Sequence, residues 1–228
     1  MKFDKYTLVA RLYPSIIVLL PILLFTINCN IANLGVTFDS LLQVKIISNV
    51  TVSIVLLYLF MQLNRFLGKF IFERKMFKDE LEMPSTRFLL YTNTEFSRNY
   101  KNLIRERIKK DFQIVMPTEQ DEDHNHKETK RRITEAVGLI REKVKEGRLL
   151  LQHYMEYGFA RNLIGGAIIG VIVSCLDVIY FFIINDSIIA WISVIFACFF
   201  TGLLLLHKVI LNYLANQYAK KLFQEYLE

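Results

Sequence analysis

Cysteine, proline, glycine and tryptophan are all scarce in this chain of 228 residues, with three Cys, four Pro, nine Gly and one Trp. The cysteines, Cys29, Cys175 and Cys198, fall at unrelated spacings and provide neither a disulfide framework nor a zinc knuckle. Two of them lie inside apolar runs, where cysteine acts as a small hydrophobe. The glycines build no phosphate loop: neither G-x-x-x-x-G-K-[ST] nor G-x-G-x-x-G occurs. His153 lies near Glu156, yet no serine or cysteine completes a nucleophilic arrangement with it. The chain is expected to be non-catalytic and to carry no cofactor and no metal.

Charge is missing from long stretches. No Asp, Glu, Lys or Arg occurs from Leu12 to Phe38, from Ile46 to Asn64 or from Ser187 to His207, and Asn162 to Asn185 holds only Asp177. With 53% hydrophobic residues concentrated this way, one large water-soluble core is excluded. A helix needs about 20 mostly apolar residues to cross a bilayer. The expected spans are about 12–29, 46–63, 162–184 and 188–206. Lys2, Lys5 and Arg11 before the first give it the look of a signal peptide. Its long apolar region, and a second span soon after, fit a retained span instead. Pro21 at its middle predicts a kink, because proline removes a backbone donor. Asn185, Asp186 and Ser187 predict a tight turn that stops one helix and caps the next.

Lysine and arginine fall on one side of this map. Residues 65–161 hold 21 of the 28 basic residues against 16 acidic ones, while the turn between spans three and four has none. By the positive-inside rule both termini and the middle region face the cytoplasm. The expected fold is an all-α integral membrane protein with four transmembrane helices in two hairpins. Its parts are an N-terminal hairpin (1–64), a helical cytoplasmic domain (65–161), a C-terminal hairpin (162–210) and a tail (211–228).

Within the middle region, Phe66, Phe70, Phe77 and Leu81 share a helical face, with Arg65, Lys69, Arg74 and Lys75 opposite. This suits either an interfacial helix on anionic lipid or a helix continuing inward. Met83-Pro84 is expected to end it. Asn93 or Thr94 is expected to cap a helix running to about Lys110 with Phe96, Tyr100, Leu103, Ile104 and Ile108 as its apolar positions. Thr118 to Lys127 is read as an acidic connector. Its His124 and His126 match neither an EF-hand loop nor an H-E-x-x-H site. From Glu128 a helix with the stripe Ile133, Val137, Ile140 and Val144 is expected, with Gly147 weakening its run towards span three.

Three groups of residues are candidates for function. Asp177 is ionisable inside a span, which is costly and usually marks a residue facing protein or water. Asn49, Thr51 and Ser53 occupy the same depth in span two. The four form either a water-lined polar cluster or a hydrogen-bonded tie between spans. Gly166 and Gly170 form a G-x-x-x-G pair for close helix approach, within one chain or between subunits, and Gly202 is a similar candidate in span four. Tyr157, Arg161 and Asn162 stand at the membrane entrance, as interfacial anchor and helix-end residues.

The stretch Gln152 to Leu163, with Tyr157-Gly158-Phe159 and Arg161-Asn162, together with Met83-Pro84-Ser85-Thr86 and Met116-Pro117-Thr118, resembles a group of small bacterial membrane proteins. The resemblance covers roughly Met83 to Gly170. Some proteins of that build act as membrane effectors in antiphage systems. It implies an inner-membrane, self-associating protein, its partners being lipids and a cytoplasmic protein or small-molecule trigger, with a pore as one output. A non-catalytic anchor for a cytoplasmic partner and a membrane-embedded enzyme are the alternatives. No nucleic-acid partner is implied.

Overall fold

The structure is a computed structural model that describes residues 4–28, 47–145 and 147–228, without the side chains of residues 47–52 and 148. Cys29 and the loop from span one to Lys45 lie outside the described residues. Among the described residues all regular structure is helical. Helix α1 (Lys5–Asn28) is capped by Asp4, whose Oδ1 accepts the Thr7 amide at 2.8 Å. Its stretch Leu8–Leu12 is π-helical, and Pro21 lies inside it. Helix α2 (Ile47–Leu67) runs on through a second π-helical stretch, Gly68–Glu73, and through Arg74–Phe77. Short helices α3 (Pro84–Arg87) and α5 (Glu119–His124) alternate with α4 (Arg98–Phe112) and α6 (His126–Lys143). Two long helices follow, α7 (Arg148–Ile183) and α8 (Ser187–Leu227).

Four helical segments are long and apolar enough to cross a membrane: Lys5–Asn28, Ser53–Phe77, Leu149–Ile183 and Ser187–Leu227. The chain is thus an all-α multi-span membrane protein with a helical region between spans two and three. The turn at Asn185 follows from its residues. Asn185 takes a left-handed φ of 61°, the Asp186 amide reaches back to the Phe181 carbonyl, and Asp186 Oδ1 accepts the Ile189 amide.

The residues divide into two compact units, Met1–Lys69 with Phe159–His207, and Phe70–Gly158 with Lys208–Glu228. The first holds the spans. Val18, Leu163, Ala167 and Phe200 form its core, while Ile172, Leu176, Ile179, Ile195 and Leu205 turn outward. An apolar exterior of this kind is stable in lipid rather than water.

The second unit has a separate core. Phe88, Leu89 and Leu90 meet Ile104 and Ile108 of α4, Ile133, Val137 and Ile140 of α6, and Leu222, Phe223 and Tyr226 of α8. Residues 211–228, expected to be a tail, therefore continue the last span's helix and supply core side chains. Of the expected stripe, Phe77 is buried, whereas Phe66 and Phe70 are exposed.

Several boundaries move for identifiable reasons. The helix expected to end at Met83-Pro84 stops at Phe77, where Lys78, Asp79 and Glu80 take φ values of 45°, 55° and 74°. Ser97, not Asn93 or Thr94, caps α4, because Asn93 Oδ1 accepts the Glu95 amide in a local turn. The expected acidic connector folds as α5, where Thr118 and Asp121 satisfy each other's backbone amides in a capping box. Between α6 and α7 the described residues Val144, Lys145 and Gly147 are not helical.

Candidate functional site: polar groups within each unit

In the membrane unit the two π-helical stretches both bear on one part of α7. Ala10 lies in the first, and its carbonyl accepts Asn162 Nδ2. Gly68 opens the second, and a Cβ there would stand 2.5 Å from the Arg161 carbonyl. π-helical turns place backbone groups out of ordinary helical register and occur often at functional positions. Between them Asn64 Nδ2 donates to Ser15 Oγ at 3.1 Å, and Ser15 Oγ donates to the Arg11 carbonyl at 2.9 Å. Arg161 Nε donates to Asn162 Oδ1 at 3.4 Å.

Arg161 and Asn162, expected at the membrane entrance, stand within a continuous helix rather than at a helix end. Both are buried, and both lie well inside α7. Tyr157 is buried too, but it belongs to the second unit, whose boundary falls after Gly158.

The glycines work inside the chain. A Cβ at Gly166 would lie 2.7 Å from Val18 Cγ2, and one at Gly170 would lie 2.7 Å from the Phe200 ring. Gly165 is tighter still, since its Cβ would run into the backbone of Asn64 and Gly68. Of the two alternatives, contact within one chain accounts for this stripe. Among the described residues nothing lies within 4 Å of the Gly202 Cβ position, so no close packing is seen there.

Asp177 is buried, as is Ser174 one turn earlier on α7. Ser53 is exposed. The side chains of Asn49 and Thr51 lie outside the described residues, so the expected four-residue cluster is represented only by Asp177 and Ser53, which differ in burial.

The second unit holds a polar node that sequence reasoning missed. Lys101 and Arg105 lie on the face of α4 that also carries Ile104 and Ile108, and all four are buried. Lys101 Nζ donates to the carbonyls of Leu90 and Asn93. Arg105 donates from Nη2 to the Leu89 carbonyl at 2.7 Å and from Nη1 to that of Pro117, with its guanidinium 4.2 Å from the Tyr91 ring centroid. Glu122 of α5 accepts the amides of Tyr91 and Thr92 and the Thr92 hydroxyl, at 2.7, 3.1 and 2.6 Å. Burial works to raise the Glu122 carboxyl, but these hydrogen bonds outweigh it and hold it below the ordinary carboxylate range. Burial pushes Arg105 and Lys101 down, and Glu122 works against that shift in both. The sequence signal was present in the spacing of Lys101 and Arg105, four apart and adjacent to the apolar stripe.

The left-handed turn at residues 78–80 is clamped to α6. Arg141 Nη1 meets Glu80 Oε2 at 2.6 Å, Lys130 Nζ meets Glu82 Oε1 at 2.8 Å, and Thr86 Oγ1 lies 3.1 Å from Thr134 Oγ1. Beside the turn is an open cavity of about 560 Å³ bordered by Asp79, Leu81, Lys127, Arg131 and Glu135. That volume is within the range of small-molecule sites, which run from about 300 to 1,000 Å³.

The geometry defines a four-span membrane protein with a second, charged helical unit. No protein-family model, curated protein or solved structure matches the chain.

Proposed function

We propose that the chain is a non-catalytic signalling or effector protein of the bacterial inner membrane, working as a homo-oligomer. Its charged unit receives a cytoplasmic protein or small molecule, and its spans respond. In the finer form of this reading the response is a leak used in antiphage defence. One observation carries the reading: α7 and α8 each contribute to both hydrophobic cores. Helix α7 places Leu150 in the charged unit's core and Leu163 and Ala167 in that of the spans. Helix α8 places Phe200 in the latter and Leu222, Phe223 and Tyr226 in the former. A packed helix with two anchorages transmits a displacement at one of them, because cores have discrete rather than continuous arrangements. The cavity beside Asp79 suits a small-molecule trigger, and the outward apolar side chains suit lipid.

Hydrogen exchange of the full-length protein in nanodiscs tests transmission. Phe223→Ala empties part of the charged unit's core. The expected outcome is altered amide protection within residues 159–207 as well as near the substitution. Changes confined to residues 70–158 and 208–228 would leave only an anchor for a cytoplasmic partner. Dye release from proteoliposomes carrying the same variant reads the leak itself.

A further inference from the structure

Most buried polar groups of the membrane unit are answered close by. Ser15 bonds the Arg11 carbonyl, Asn64 bonds Ser15, Asn162 bonds the Ala10 carbonyl, and Ser193 bonds the Ile189 carbonyl. Two side chains on α7 differ. Asp177 is 1% exposed and Ser174 is 0% exposed, yet no hydrogen-bond partner among the described residues reaches Asp177 Oδ2 or Ser174 Oγ. A separation of three residues puts them on one face of the helix.

A buried carboxylate is costly unless positive charge accompanies it. The neighbouring spans bring none. Within the expected spans 12–29, 46–63 and 188–206 the titratable side chains are Tyr13, Cys29, Tyr58 and Cys198, with Cys175 and Tyr180 near Asp177 on α7 itself, and none of these is a cation. Arg161 is sixteen residues away along α7, about 24 Å at the rise of a helix. Arg11, Arg65 and His207 border the other spans at their cytoplasmic ends, Lys45 borders span two at its other end outside the described residues, and Asp186 at the turn is an anion.

We propose that Asp177, with Ser174 as a neighbouring oxygen, is a site within the membrane for one small cation, either a proton or a bare alkali metal ion. Loading and emptying it changes the charge carried inside the span bundle. The proposal does not depend on signal transmission between units.

Dicyclohexylcarbodiimide, which enters lipid and reacts with protonated carboxyls, distinguishes the cases. The full-length protein in neutral nanodiscs is treated across a pH series, with and without sodium or lithium, and Asp177 is read by mass spectrometry. The expected result is labelling of Asp177 several-fold above that of Asp186, lost in Asp177→Asn and shifted along the pH or salt axis in Ser174→Ala. Labelling that falls with rising pH and ignores sodium identifies a proton. Labelling suppressed by sodium or lithium at constant pH identifies an alkali ion. The proposal is overturned if Asp177 labels no more than Asp186, or if its labelling ignores both pH and salt. It is also overturned if Lys45→Gln alters the labelling, which would make lysine the counter-charge. Should a variant fail to insert, the pH and salt series on the unsubstituted protein decides alone.

Discussion

Gly165 and Gly202 are both glycines within spans, and their surroundings are opposite. A methyl group at Gly165 meets the backbone of Asn64 and Gly68, which has no rotamer with which to yield, whereas a methyl at Gly202 meets nothing within 4 Å. Gly165→Ala is expected to cost about 1–3 kcal/mol through overpacking. Gly202→Ala is expected to stabilise by about 0.5–1 kcal/mol through lost chain entropy. Thermal unfolding in detergent, followed by helical circular dichroism, orders the two against the unsubstituted protein. A neutral Gly165→Ala would remove the close crossing of α2 and α7. The spacing of Gly166 and Gly170 made a small-residue face legible in the sequence, because helical periodicity assigns faces. It did not say what lies across from each residue, so the contrast between Gly165 and Gly202 is visible only in the structure. For the same reason the sequence does not show the buried contacts of Arg161 and Asn162. Polar residues near the start of an apolar run look interfacial, and the carbonyl that accepts Asn162 belongs to Ala10, 152 positions away. Asp177 stood out at once, because a single acid in an apolar run needs no partner to be noticed.

Among the elements, the turn after Arg74–Phe77 concentrates left-handed backbone, with three of the five described non-glycine residues of positive φ. Left-handed φ at a non-glycine residue costs about 1–2 kcal/mol, and here Lys78, Asp79 and Glu80 adopt it in succession. Glu80 and Glu82 are held by Arg141 and Lys130, and Thr86 Oγ1 donates to the Glu80 carbonyl at 3.1 Å. Asp79 contributes only an exposed pair with Arg74 at 2.8 Å, and surface pairs are worth little. Asp79→Gly is therefore expected to raise stability by about 1 kcal/mol, read as a higher denaturation midpoint with an unchanged denaturant slope. A lower midpoint would show that the Arg74 pair outweighs the strain. Nothing in Lys78-Asp79-Glu80 announces this turn, since no glycine or asparagine is present. It is imposed by tertiary ties to α6, which periodicity does not encode. Helix α5 was hidden differently. Its acids looked solvated, while Thr118 three residues before Asp121 was a capping signature that its charge density obscured.

For the molecule as a whole, acid should act first on the charged unit. Hydrogen bonding from Lys130 holds Glu82 below the usual carboxylate range, that from Lys143 does so for Asp111, and the Tyr91 and Thr92 donors do so for Glu122. A carboxyl depressed in the folded state contributes stability above its unfolded value near pH 4, and the contribution disappears as pH falls through the folded value. Stability of residues 70–158 and 208–228 is expected to be level above about pH 5 and to decline below about pH 4. Hydrogen exchange by residue between neutral pH and acid measures this. Full protection at the acid end would mean that these contacts contribute little. Four spans, their order and the charged region between them were legible from hydropathy and charge, since lipid imposes length and sign on local sequence. That residues 208–228 complete the second unit was not, because it is assembled from discontinuous stretches.

That discontinuity has a consequence for biosynthesis. Phe88, Ile104, Ile133 and Ile140 leave the ribosome well before Tyr218, Leu222, Phe223 and Tyr226, which complete the same core. Both members of the second hairpin precede these residues in the chain and are translated before this core is complete. Throughout that interval the nascent intermediate shows an open apolar surface to chaperones and proteases. Completion of this core thus reports that the final hairpin has been synthesised, and a chain arrested before Lys208 lacks the side chains that close it.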